Sequence, residues 1–221
     1  MINDKYIHQH NYFDEIATKY ENAKNISFND INPTNTALII VDMINGFTKE
    51  GKMSSPDSLM INEDIANLAN ICDNKGIKIV AFADCHKEDS IEFNSFPVHC
   101  LEGTSESEVT DEIKNACTYT LINKSSINGF FENNFKQFLN TNPNIDTFIV
   151  VGCCTDFCVL NFALSLKINS NATNTSRDVI VLTDLTQTFN SPTHNRDFWN
   201  VVSYSNMEQN GIIIAKNLTS N

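Results

Sequence analysis

Apolar runs of strand length recur along the chain, and longer stretches with helical spacing fall between them. The strand candidates are ALIIVDM (37–43), KIVAFAD (78–84), TYTLINK (118–124), DTFIVVG (146–152), DVIVLTD (178–184) and GIIIAKN (211–217). Several are unbroken Val/Ile/Phe runs rather than alternating ones, which suits strands covered on both faces. The segments 58–74, 106–116, 130–140, 155–169 and 195–209 carry helical apolar spacing or helix-start residues such as Thr155 and Asp156. Strand and helix alternating in this way predict an α/β fold with three layers. Its centre is a doubly wound, mostly parallel six-stranded sheet with helices on both faces and right-handed crossovers. Residues 34–221 make up this domain. Residues 1–33 form an N-terminal extension, partly helical over 11–25. The Asn- and Ser-rich patch 169–176 reads as an exposed loop.

In such a sheet, ligands gather beyond the carboxyl ends of the strands. The polar residues that close each run therefore matter most. The first run closes near Asp42 and the second at Asp84, followed by His86. The third closes at Lys124, and the fourth at Gly152, which opens GCCTDFCV. The fifth closes at Asp184, read here as an ordinary polar strand end. A lysine at the end of a buried strand needs a carboxylate partner, and Asp42 is the natural one.

Composition narrows the partners. The net charge of -12 over 221 residues argues against nucleic acid or an acidic membrane surface, either of which wants a basic face. No apolar run approaches the roughly 18 residues of a membrane span, and the first twenty residues lack the apolar core of a signal peptide. The expectation is a cytoplasmic protein. Seven cysteines in a reducing compartment do not suggest a disulfide framework. Cys72, Cys100 and Cys117 sit among apolar neighbours and read as buried small hydrophobes.

Cys153, Cys154 and Cys158 need a separate reading. Cys154 and Cys158 have no second pair to complete a zinc site, and the redox spacing C-x-x-C is absent. Thr155 and Asp156 start a helix, so Cys158 falls in its first turn. There the positive helix end and free backbone N–H groups are expected to lower a thiol's pKa. Cys158 is the candidate nucleophile, with Asp42 as base and Lys124 as the neighbouring cation. Cys153 and Cys154 lie in the strand-to-helix turn, where backbone matters more than side chain.

Five segments, VDMINGF, ADCH, FPVHCLEGT, KSSINGF and GCCTDFCV, occur in an order that resembles the cysteine hydrolases of the isochorismatase-like superfamily. Within it they are most similar to the nicotinamidases and pyrazinamidases. The resemblance spans about 37–217. It implies the isochorismatase-like hydrolase fold and a catalytic triad of Asp42, Lys124 and Cys158. It also implies a cis peptide joining Cys153 to Cys154, and an oxyanion hole from the backbone N–H groups of Cys154 and Cys158. Asp84, His86 and His99 match the metal ligands of nicotinamidases, with Glu92 as a fourth candidate. Two imidazoles and a carboxylate suit a divalent metal, zinc first, with iron or manganese as alternatives.

The implied reaction is hydrolysis of a small-molecule amide, nicotinamide to nicotinate and ammonia, at a site walled by Phe47, Phe96 and Phe130. It places the protein in NAD salvage, as a homo-oligomer. Some features depart from the pattern. Cys85 stands where many relatives have tryptophan beside the first metal histidine, and Phe96 replaces a common pocket tryptophan. THNRDFWN (193–200) belongs to none of the motifs. The alternatives are hydrolysis of another small amide or of isochorismate, a non-catalytic metal or redox protein, and a partner-binding protein on a dead enzyme fold.

Overall fold

Unbroken branched-apolar runs hide both faces only inside a layered structure, and the chain puts them there. The computed structural model describes residues 7–220. Helix α1 (Ile7–Glu21) and a two-residue strand β1 (Ile26–Ser27) come first. The strands β2 (Thr36–Val41), β3 (Lys78–Asp84), β4 (Thr120–Lys124), β5 (Thr147–Cys153), β6 (Asp178–Gln187) and β7 (Ile213–Ala215) form one sheet. Every pairing in that sheet is parallel. A last short strand, β8 (Leu218–Thr219), pairs with β1.

The helices are α2 (Asn45–Thr48), α3 (Pro56–Met60), α4 (Asn62–Asn74), α5 (Asp111–Ala116), α6 (Asn133–Thr141), α7 (Leu160–Ala172) and α8 (Arg196–Gln209). Successive strand residues point to opposite faces. Leu38 and Ile40 of β2 therefore join one core with Ile65, Leu68 and Cys72 of α4 and Ile113 of α5. Ala37, Ile39 and Val41 join the other with Phe135 of α6, Phe162 and Leu166 of α7 and Met207 of α8. This is the three-layer, doubly wound arrangement expected.

The strand order β4-β3-β2-β5-β6-β7 locates the site. The chain starts near the middle at β2, winds out to β4, then returns to β5 on the other side of β2 and winds out to β7. The order reverses between β2 and β5, and the loops after those two strands diverge to leave a crevice. Asp42 follows β2, and the cysteine-rich turn closes and follows β5.

Several boundaries differ from the sequence reading. The last sheet strand is only Ile213–Ala215, and β4 begins at Thr120. Strand β6 runs on to Gln187, because the register slips: Val150 pairs with Val181 but Gly152 pairs with Thr186. Asp184 is thus an exposed residue within that irregular stretch, not a strand end. Ser55 caps α3 and Pro56 opens it, so 58–74 divides into α3 and α4 at Ile61. In 106–116 only Asp111–Ala116 is α-helical, because Val109 is drawn into a bridge with Ile44. The patch 169–176 is not all loop. Helix α7 runs to Ala172, and the buried Ser170 hydroxyl is satisfied by the Thr175 carbonyl.

The N-terminal helix begins earlier than 11–25 and is docked. Tyr20 donates to Glu208 at 2.9 Å and meets Tyr204 edge-on, and Phe13 stacks on Phe198. Among the described residues no helix is long and apolar enough to cross a membrane.

One glycine is required by the crevice. Gly152 has φ 115, and a Cβ built there meets the Val41 carbonyl oxygen at 2.0 Å. Gly76 has φ 76 but open space around it. Gly152→Ala should therefore destabilise by more than about 3 kcal/mol. Gly76→Ala should cost only about 1–2 kcal/mol, from its left-handed backbone. Urea unfolding midpoints of the two variants check the contrast.

Candidate active site

Three adjacent strand ends converge on one ammonium. Lys124 closes β4 and is 1 % exposed. Its Nζ lies 2.8 Å from Asp42 Oδ2, 2.9 Å from Asp84 Oδ1, 3.2 Å from the Ser126 carbonyl oxygen and 3.6 Å from Cys158 Sγ. The pairing expected between Lys124 and Asp42 is present. Its second carboxylate, Asp84, was expected only as a metal ligand. The register explains the addition, because Asp84 is the strand partner of Lys124.

Asp42 is held by its backbone. It sits at φ 52, its N–H donates to Phe82 O at 3.1 Å, and its carbonyl accepts from Cys153 Sγ at 3.3 Å. The contact to Lys124 is close but not aligned as a hydrogen bond, and the Cys158 thiol also acts on the carboxylate without an aligned bond. This leaves Asp42 an acceptor without an aligned donor. Burial raises its pKa to about 6, with Lys124 pulling the other way. Burial also works to raise Asp84, but Lys124 and the adjacent His86 and His99 imidazoles outweigh it and hold that carboxyl well below the usual range. Burial opposes the charge on Lys124 too, yet Asp42 and Asp84 hold its pKa well above the lysine norm.

The cysteine turn corrects one expectation. Thr155–Val159 is a single π-turn, and the α-helix begins only at Leu160. Cys158 is buried, and that burial pushes its thiol well above the usual cysteine pKa despite Lys124. The predicted lowering by the helix end loses to desolvation, so the resting group is a thiol. The Cys153–Cys154 peptide is cis, as the resemblance implied.

Beside the triad lies a four-donor cluster. Ligand atoms of Asp84, His86, Glu92 and His99 all fall within 4.8 Å of one another. His99 Nδ1 donates to the Pro97 carbonyl at 2.7 Å, which leaves Nε2 to face Asp84 Oδ2 at 3.1 Å. His86 Nε2 lies 3.0 Å from the same oxygen without an aligned hydrogen bond. Two imidazole nitrogens and a carboxylate oxygen aimed at one point fit a divalent cation. Glu92 is half-buried, and burial and then Asp84 raise its pKa.

Both clusters open onto one cavity of about 130 Å³. Its walls include Phe47, Phe96, Met53 and Ile127, with Cys158, His99, Asp84 and Glu92 at the polar side. Phe130 does not line it. That ring turns into the core against Phe135 at 6.0 Å. Phe157 and Phe189 take its place. Phe157 lies inside the cysteine motif and was legible there as an aromatic next to the thiol. The sequence signal for Phe189 was only its closeness to the unexplained segment 193–200.

A buried thiol, a carboxylate acceptor and an ammonium at a sheet switch point define the class of cysteine-dependent hydrolases. The chain belongs to the isochorismatase family, whose Isochorismatase domain model matches residues 36–212. It is 34 % identical to Nicotinamidase 1 of Arabidopsis thaliana over 73 % of this chain and 72 % of that protein. Among solved structures it is similar to the zinc complex of the Pyrococcus horikoshii pyrazinamidase. That likeness has TM-score 0.67 and 24 % identity, covering 82 % of this chain and 99 % of that one. An N-carbamoylsarcosine amidase from Thermoplasma acidophilum matches with TM-score 0.67 and 25 % identity, over 82 % of this chain and 96 % of that one.

The cluster predicts metal content. Purified protein should carry about one equivalent of divalent metal. His86→Ala and His99→Ala should each weaken its binding at least about tenfold, given that even outer-shell changes cost that much. Elemental analysis after dialysis checks this, and unchanged metal in both variants would remove the site.

Proposed function

We propose that the protein hydrolyses nicotinamide to nicotinate and ammonia through a thioester on Cys158. One observation carries this reading: the thiol and three members of the four-donor cluster, Asp84, Glu92 and His99, line the same ring-sized, aromatic-walled cavity. The cavity, about 130 Å³, is of the same order as the roughly 150 Å³ that takes one benzene ring, so it is on the scale of a single small ring. In this reading a planar heteroaromatic ring lies against Phe47 and Phe96, both of which line the cavity, with its carboxamide toward Cys158. The similarity to Nicotinamidase 1 supports the same substrate.

The chemistry follows from the charges. Cys158 rests as a thiol, so attack on the carboxamide carbon needs a base at that moment. Asp42, with no aligned donor of its own, takes the proton. Lys124 stabilises both the carboxylate before transfer and the sulfur as negative charge develops there. The backbone N–H groups of Cys154 and Cys158 receive the oxyanion, and each such donor is worth about 2.7–4 kcal/mol of barrier. Asp42 returns its proton to the departing ammonia. It then takes one from the water that attacks the thioester, and nicotinate leaves as Cys158 recovers its proton. Asp84, His86, His99 and Glu92 would hold a divalent cation, which when bound would supply Lewis-acid chemistry for orienting the substrate. Zinc as that cation, a cytoplasmic setting and a homo-oligomeric assembly belong to the same reading and rest on the family resemblance.

Cys158→Ala should lower ammonia release from nicotinamide by at least about 10³-fold, with fold and metal content intact by circular dichroism and elemental analysis. Cys153→Ala should keep most of the activity. Equal losses in the two variants would be incompatible with Cys158 as the nucleophile.

Asp42 must be ionised to accept the thiol proton, and its pKa is raised to about 6. The rate constant kcat/KM should therefore fall as pH drops through about 6, tenfold per unit below it. A pH–rate profile that stays flat to well below that value would exclude Asp42 as the base.

A further inference from the structure

The segment between β6 and α8 belongs to none of the family-like motifs, yet it closes the cavity. Phe189 forms part of the wall. The His194 ring stacks on Phe189, with centroids 4.1 Å apart and planes 15° apart, and Trp199 stacks on His194 in turn at 5.6 Å and 11°. The imidazole is fixed at both nitrogens. Nδ1 meets the Phe189 carbonyl oxygen at 2.9 Å, and Nε2 meets the Asp156 carboxylate at 2.8 Å. Asp156 lies two residues before Cys158, in the same turn. The segment is also clamped from the opposite side. Asp57 accepts from the Asn190 N–H at 3.0 Å and from Arg196 Nη1 at 2.8 Å.

We propose that His194 is a positioning residue: anchored by Asp156, it holds the Phe189 ring as a wall of the cavity and so sets which ring substituents the site admits. The inference rests on the reading of this cavity as the carboxamide site. Its chemical content is selectivity for flat, unsubstituted six-membered heteroaromatic carboxamides. A Phe189 ring free to rotate away leaves room for a substituent, but it also loses the stacking contact that binds the unsubstituted ring. The wall is tied to the turn that carries the nucleophile, so ring and thiol are positioned together.

The test compares wild type, His194→Ala, Phe189→Ala and the double variant on nicotinamide and 5-methylnicotinamide. His194→Ala should raise KM for nicotinamide about tenfold and change kcat less than about threefold. The ratio of kcat/KM for the two substrates should move toward unity. The double variant should be no worse than Phe189→Ala alone, because both changes act through one ring. A merely structural role would lower the active fraction, and hence kcat, and leave KM and the ratio alone. An unchanged KM and ratio in His194→Ala, or full additivity in the double variant, overturns the inference while nicotinamide turnover stands.

If wild type releases no ammonia from nicotinamide, the functional reading fails, and the positioning role is decided by binding. Trp199 is the chain's one tryptophan. A saturable change in its fluorescence on titration with benzamide, lost in His194→Ala, supports the role. No change in wild type, or the same change in the variant, overturns it.

Discussion

The structure turns on a buried ammonium. Lys124 has left water almost completely, which is unfavourable unless fixed negative charge surrounds it. Two carboxylates do so, at 2.8 and 2.9 Å, Asp84 from the end of the neighbouring β3 and Asp42 from just beyond β2, the next strand over. Breaking such a buried set by removing one partner costs about 3–5 kcal/mol, because the remaining charge is stranded. The ends of β2, β3 and β4 are therefore tied together by charge as well as by the sheet. The same ammonium also lies 3.6 Å from the thiol. One cation thus lies against the proposed nucleophile and, through Asp84, the candidate metal cluster. Lys124 and the two histidines hold the Asp84 carboxyl well below the usual carboxylate range, whereas burial raises Asp42 to about 6. Two aspartates on one lysine are divided into a fixed anion and a usable base.

Much of this was legible because strands repeat with a simple period and end in polar residues. The six-stranded α/β sheet and the gathering of Asp42, Lys124 and the cysteine turn follow from where runs stop, whereas the grouping of Asp84, His86, His99 and Glu92 was implied by the family resemblance. What was not legible depends on register and burial. That Asp84 pairs with Lys124 is a cross-strand fact, invisible until β3 and β4 are aligned. Strand β6 overran its expected end because its pairing to β5 slips at Gly152. The direction of the Cys158 pKa was wrong because helix-end attraction is local and readable, while desolvation is set by the whole surrounding core.

Phe130 and Phe189 show the same limit among aromatics. Both are phenylalanines near family-like motifs, and composition cannot say which faces a cavity. Phe130 follows a turn that delivers it to the α6 face of the sheet, where Phe135 takes it into the core. Phe189 follows the long β6, whose extra residues carry the chain past the strand ends and over the crevice.

The division of labour in the fold follows from that geometry. Reaction type resides on strand ends, where the sheet fixes positions to a fraction of an ångström and a misplaced charge is severely penalised. The wall that meets the substrate ring hangs from a connection instead. It is fixed by a ring stack, a hydrogen bond between His194 and Asp156, and the clamp at Asp57. If His194 and Phe189 set selectivity as proposed, residues 188–196 can change the amide accepted while Asp42, Lys124 and Cys158 stay where the core puts them. The segment that matches no motif is for that reason the natural place for this protein's own selectivity.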